Sequence, residues 1–202
     1  GVPEKSYGAV FGYVQSGKTA NYIGLINKAV DAGYKIIIVL AGMHNNLRSQ
    51  TQMRIDEEVL GFETSIEYLR QKAGLVPSII GVGTLNFKMD KSIEALTSRD
   101  EKGDFTKGRA GVSRQYDQPK IFIVKKQSKV LQYVYDNLSK NHAAVQSPDG
   151  TSLFPCEYSL LVIDDEADQA SVNTKYKTDR SGEISDDSEV SKINELIRRI
   201  LS

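Results

Sequence analysis

Two short stretches of this chain carry residues whose types and spacing suit phosphate chemistry. The first is Gly12-Tyr13-Val14-Gln15-Ser16-Gly17-Lys18-Thr19, which fits GxxxxGK(S/T) without a gap. Glycine adopts backbone conformations that other residues avoid, so a tight cup can form here. The N–H groups lining such a cup point inward at phosphate oxygens. Gly12, Gln15, Ser16, Gly17, Lys18 and Thr19 are therefore the expected nucleotide-binding residues. Lys18 would reach the β- and γ-phosphates, and the Thr19 hydroxyl would sit on Mg²⁺. Gln15 lies within the cup, facing phosphate or a partner domain. Residues 20–30 are expected to begin a helix whose positive end faces the same anion. The bland alternative is a glycine turn between strand and helix. The apolar Ala9-Val10-Phe11 before the loop and the helical pattern behind it speak for the phosphate cup.

The second stretch is Asp164-Asp165-Glu166-Ala167-Asp168, which follows the apolar run Tyr158-Ser159-Leu160-Leu161-Val162-Ile163. Acids at the C-terminal end of a buried strand make the Walker B arrangement, and ligands of open α/β sheets lie outside those carboxyl ends. One carboxylate would hold Mg²⁺ through water, and the next would orient or deprotonate an attacking water. Acids gathered at a helix N-terminus are the competing explanation. The phosphate loop more than a hundred residues upstream favours the chemical one.

To serve one site, these stretches need strands that end at them and a helix that starts at one. Strands are expected at 8–11, 35–40, 78–83, 120–124 and 158–163. Helices are expected at 21–32, 47–59, 65–73, 128–138 and 190–201. Lys35-Ile36-Ile37-Ile38-Val39-Leu40 is a continuous β-branched run, the pattern of a strand buried on both faces of a parallel sheet. Strands alternating with helices imply an α/β domain with a mainly parallel sheet. Residues 98–119 are glycine-rich and charged, and are expected as a long surface loop, in part disordered. Residues 141–157 read as a loop with two prolines, and 171–188 as a polar stretch with acids at Asp186 and Asp187. The pair Lys125-Lys126 reads as solvated surface.

The 202 residues, 40% hydrophobic and 26% charged, suit a single domain with a substantial core. Lys+Arg and Asp+Glu are equal at 26 each, so net charge argues neither for nor against nucleic acid. Cys156 is the one cysteine, which excludes an internal disulfide and favours a reducing, cytoplasmic setting. It reads as a packed thiol rather than a nucleophile. No apolar run approaches a membrane span, so no membrane partner is expected. Gly1 stands where an initiator methionine would, which suggests a piece of a longer protein. His44 and His142 are far apart in sequence, and loop or surface roles are expected for both.

Asp165-Glu166-Ala167-Asp168 resembles motif II of superfamily-2 helicases, and Gly12 to Thr19 their motif I. Together with Asn46-Leu47-Arg48-Ser49-Gln50-Thr51-Gln52 and Ile163-Asp164-Asp165-Glu166-Ala167-Asp168-Gln169-Ala170-Ser171, the chain resembles the Z-one domain family. That family carries an endonuclease label and is described as helicase-like ATPases of bacterial restriction and defence systems. The resemblance spans nearly the whole chain and implies a three-layer α/β/α RecA-like P-loop NTPase domain. It implies ATP rather than GTP, a nucleic-acid partner, DNA first, and catalytic roles for Lys18, Asp165 and Glu166. Motif Ia would be Leu47 to Gln52 and motif Ib Gly83-Thr84, so Arg48, Gln50, Gln52 and Thr84 are the implied nucleic-acid contacts. A solvated helix face is the plain alternative for Arg48, Gln50, Gln52 and Arg54.

Two departures bear on this. Asp164 precedes the acidic quartet, which leaves Asp164 and Asp165 both open as metal neighbours, and alignment with the quartet favours Asp165. The Ser/Thr-Ala-Thr motif that couples ATP to a second RecA-like domain is absent, so residues 1–202 are expected to be the first domain alone. Two rival functions stand beside the ATPase. A metal-dependent nuclease needs an acid and then Asp/Glu-x-Lys on a strand, and Asp90 with Asp100-Glu101-Lys102 is the nearest fit, in a charged, glycine-containing stretch. A nucleotide-gated interaction module without turnover is the other.

Overall fold

The computed structural model describes residues 6–9, 18–66, 78–85, 93–107, 118–142, 145–146, 152–153, 159–165, 167, 177–178, 184–185 and 189–201. Helix α1 runs Lys18–Asp31 and strand β1 Ile36–Ala41. Helix α2 (Asn45–Ile55) continues into a π-helical turn, Asp56–Leu60. Strands β2 (Glu94–Ala95) and β3 (Lys120–Val124) follow, then helix α3 (Ser128–His142). Strand β6 is Leu160–Asp165 and helix α4 Glu189–Leu201. Two antiparallel strand pairs stand apart from the main sheet: β4 (Val145–Gln146) with β5 (Ser152–Leu153), and β7 (Lys177–Thr178) with β8 (Ile184–Ser185).

The main sheet has the order β2-β3-β1-β6, and every pairing in it is parallel. Side chains alternate across a strand, so β1 supplies both cores. Ile37 and Val39 pack with Ile121, Ile123, Leu161 and Ile163 against α1 and the α2–π-turn unit, through Ile23, Ile26, Ile55 and Val59. Ile38 and Leu40 pack with Phe122, Val124, Leu160 and Val162 against α3 and α4, through Leu131, Val134, Ile193 and Leu196. Helices cover both faces of a parallel sheet, and the fold is a three-layer α/β domain. Among the described residues no helix is long and apolar enough to cross a membrane.

Four expectations need correction. The strand expected at 78–83 does not join the sheet. Ile79 makes one isolated antiparallel bridge to Phe62, and residues 81–83 bend and turn. The backbone explains why: Gly81 (φ 62°) presses on the π-turn so closely that a Cβ there would lie 2.2 Å from the Glu57 carbonyl oxygen. Glu94–Ala95 takes the edge position instead. Of the strand expected at 8–11, Gly8 and Ala9 are exposed coil and the other two residues lie outside the described set. The last strand ends two residues later than expected, so Asp164 and Asp165 belong to it.

The fourth correction concerns the loop after β2. Residues 98–107 were expected at the surface, yet Ser98, Asp104 and Phe105 are buried, and Phe105 meets Phe122 edge-on at 5.1 Å. Several of the loop's carbonyls are met from within. Arg48, fully buried on α2, donates to the backbone carbonyls of Ser98 (2.8 Å) and Asp100 (2.6 Å). Gln52, also fully buried, accepts from the Thr97 hydroxyl and donates to Asp56. Asp56 in turn accepts from Thr64 and Arg99. Burial pushes the Asp56 carboxyl above the ordinary carboxylate range, and these hydrogen bonds pull it back. Burial likewise lowers Arg48, against the attraction of Asp104, Asp100 and Asp56.

Removing one member of a buried charged network costs about 3–5 kcal/mol, because its partners stay buried without it. Arg48→Ala should therefore lower unfolding free energy by about that amount in urea titrations. Gln50→Ala, on the exposed side of the same helix, should stay within about 0.5 kcal/mol of the parent chain.

Candidate functional site at the sheet's C-terminal end

Helix α1 starts at Lys18, with Thr19 half-buried in its first turn and no acid in that turn. An N-terminal turn of this kind carries a positive end and unsatisfied N–H groups. Gly12, Gln15, Ser16 and Gly17 lie outside the described residues, as do Glu166 and Asp168. The α1 half of the site is therefore seen from the helix side, through Thr19 and the turn that follows it.

Tyr22 stands one turn after Thr19, so both face the same way on the helix. Its hydroxyl donates to Asp165 Oδ2 at 3.2 Å, across 143 residues of chain. The side chains of Thr19 and Thr51 lie beside it. The phenol is pushed up to about 12, by burial first and by the Asp165 charge second, while the two threonine contacts pull it down. A residue of α1, the end of β6 and a residue of α2 thus converge on one hydroxyl.

The two consecutive aspartates are separated by the pleat. Asp164 pairs in register with Leu40 and Asp165 with Ala41. Asp165 therefore continues the Leu161 and Ile163 face, toward α1, while Asp164 continues the Leu160 and Val162 face, toward α3 and α4. On that side Lys126 Nζ lies 2.5 Å from Asp164 Oδ1, with the lysine side chain fully buried. The contact is a close ion pair. Lys126 is thus an interior counter-ion for Asp164, not the solvated surface lysine expected from its neighbour Lys125. Only one of the two acids faces the helix that follows the phosphate-loop sequence, and it is Asp165.

Thr19 and Asp165 offer hard oxygen donors on one side of the sheet's C-terminal end and share Tyr22 as a neighbour. Mg²⁺ takes one or two protein oxygens, keeps several waters and accepts substrate phosphates. The donor set fits that ion. Among the described residues no group of three or more His, Cys, Asp or Glu gathers into an all-protein metal cage.

The implied nucleic-acid residues divide. Arg48 and Gln52 are fully buried and hold the 97–104 loop, so neither presents a face to a nucleic acid. Gln50 and Arg54 are exposed on α2. Thr84 is half-buried, and its hydroxyl donates to the Gly81 carbonyl at 3.1 Å. His44 is exposed just before α2. Asp100-Glu101-Lys102 lies in a bend and turn rather than a strand, and Asp100 Oδ2 accepts from the Ile66 amide and the Ser98 hydroxyl. Sequence reasoning missed Tyr22, Thr51 and Lys126. The three-residue step from Thr19 could have found Tyr22. Nothing local marks Lys126, whose partner is a strand away.

Comparison of the chain with protein-family models, curated proteins and solved structures returned no match. The likeness to the Z-one domain rests on the stretches quoted from the sequence.

The ion pair leads to a double-mutant test. Lys126→Met should cost about 3 kcal/mol in denaturant unfolding, since it leaves Asp164 charged in a half-buried site. Adding Asp164→Asn should recover more than half of that loss. Equal losses for the single and double variants would mean that the pairing contributes nothing.

Proposed function

We propose that this chain binds Mg-ATP and hydrolyses the β–γ bond, as the first RecA-like domain of a helicase- or translocase-like ATPase of the Z-one type. The observation that carries the reading is the Tyr22–Asp165 hydrogen bond. It joins the helix that opens at Lys18-Thr19 to the end of the acidic strand, the two parts that a phosphate-loop enzyme needs side by side. The parallel sheet adds support, because ligands of such sheets lie at the carboxyl ends of the strands.

Each residue has a task in this reading. The backbone of Gly12 to Gly17 cradles the phosphates, and Lys18 neutralises charge on the β- and γ-oxygens. Thr19 and Asp165 would hold Mg²⁺, which would supply electrostatic stabilisation of the charge on the transferring phosphoryl group. Glu166, next along the chain, orients the attacking water and takes its proton. Asp164 has no part in the chemistry, since Lys126 neutralises it on the other face of the sheet. Phosphoryl transfer is mostly positioning and charge stabilisation. The reading therefore includes a second RecA-like domain that closes the site and supplies further cations. Its polymer partner is nucleic acid, DNA first, in a cytoplasmic restriction or phage-defence system. With Arg48 and Gln52 in the interior, Gln50 and Arg54 are the α2 residues left to meet that polymer.

Calorimetric titration and turnover together test the assignment. Lys18→Ala should sharply weaken Mg-ATP binding with the fold intact. Glu166→Gln, in the protein with its second domain, should keep binding and lose about 10² to 10⁴ in turnover, the usual cost of losing a general base. Equal ATP affinity for Lys18→Ala and the parent chain would overturn the nucleotide site.

A further inference from the structure

A tyrosine hydroxyl has one proton to give and two lone pairs to receive with. At Tyr22 the proton is used. The proton goes to Asp165 Oδ2 at 3.2 Å. The side chains of Thr19 and Thr51 lie beside the same hydroxyl and lower the phenol's pKa where Asp165 raises it. A carboxylate held through Oδ2 has lost its freedom to rotate. The ring that carries this hydroxyl is itself fixed, packed on the core shared by α1, β1 and β6.

The third partner reaches further. Thr51 is buried on α2, one residue before Gln52 and one turn after Arg48. Those two side chains hold the 97–104 loop through Thr97, Ser98 and Asp100. Thr97 in turn accepts from the Ile123 amide of β3.

We propose that Tyr22 is a positioning residue for the metal side of this site: its hydroxyl holds the Asp165 carboxylate in place, with Thr19 of α1 and Thr51 of α2 set beside the same hydroxyl. This rests on the Mg-ATP reading and adds to it a residue that no phosphate-loop pattern contains. Tyr22 touches neither phosphate nor water in this role. It acts through the Asp165 carboxylate.

The test separates the metal's contribution from the nucleotide's. ATP affinity of the chain is measured by calorimetry with Mg²⁺ and with EDTA, for the parent, Tyr22→Phe and Thr51→Val. Phenylalanine keeps the packed ring and removes only the hydroxyl. The Mg²⁺-dependent gain in affinity should fall about tenfold in Tyr22→Phe, the lower end of what loss of an outer hydrogen-bond partner costs a metal site. Affinity in EDTA should not change. Thr51→Val should show the same selective loss, smaller in size, which keeps the test alive should Tyr22→Phe fold poorly. An unchanged Mg²⁺ gain in both variants overturns the role, and so does an equal fall with and without Mg²⁺, which would mark Tyr22 as a packing residue. A parent chain that binds ATP with no Mg²⁺ gain removes the metal site itself, and the positioning role with it. A parent chain that binds no ATP in either condition removes the whole nucleotide reading, a result that no Tyr22 variant can produce.

Discussion

Successive side chains of a β-strand point to opposite faces, and the arrangement at the end of β6 follows from that one constraint. Two adjacent aspartates in a tight space would repel each other and compete for one cation. The pleat instead sends Asp165 toward α1 and Asp164 toward α3, where buried Lys126 meets it. Each charge has its own partner and its own side of the sheet. The register with β1, Leu40 to Asp164 and Ala41 to Asp165, fixes which is which. A one-residue slip of β6 would exchange the two acids and turn its apolar residues to the wrong layers, so the apolar core keeps the chemical end in place.

The same economy appears on α2. Read as a sequence, that helix is polar and looks like a solvated or nucleic-acid-binding face. Its charge is instead turned inward, where Arg48, Gln52 and Asp56 replace an apolar core between α2 and the 97–104 loop. Burial works against every charge in that network, as the raised Asp56 and lowered Arg48 record. Such networks hold only when nearly every group is satisfied. The loop is thereby tied to the helix by hydrogen bonds rather than by apolar burial alone.

How much of this the sequence carried depends on how local the cause is. The continuous runs Ile36–Leu40 and Ile121–Val124 read as buried strands because their neighbours on both faces are apolar, and they are. The helices expected at 21–32, 128–138 and 190–201 match α1, α3 and α4 to within a few residues at their ends. Alignment favoured Asp165 as the acid nearest the metal; the pleat sets Asp165 on the α1 side of the sheet and Asp164 on the other. Where the cause was distant, the reading failed. Residues 98–107 look like surface until Arg48, fifty residues earlier, is seen to bond Ser98. Lys126 looks like its exposed-seeming twin until Asp164 is placed beside it. The run at 78–83 has the composition of a strand, but Gly81 is bent at φ 62° against the π-turn.

The claim on which everything else depends is that nucleotide and metal meet on the α1 face of β6's end. Paramagnetic broadening reads this directly. With ATP present, substoichiometric Mn²⁺ is added to the isotope-labelled chain and amide signals are followed as they disappear. The junction predicts that Thr19, Ala20, Ala41 and Asp165 vanish first, with Tyr22 close behind, while amides of α3 and α4 persist. First losses at Lys126 and Ser128, on the α3 side, would contradict it, and so would broadening that is the same with and without ATP.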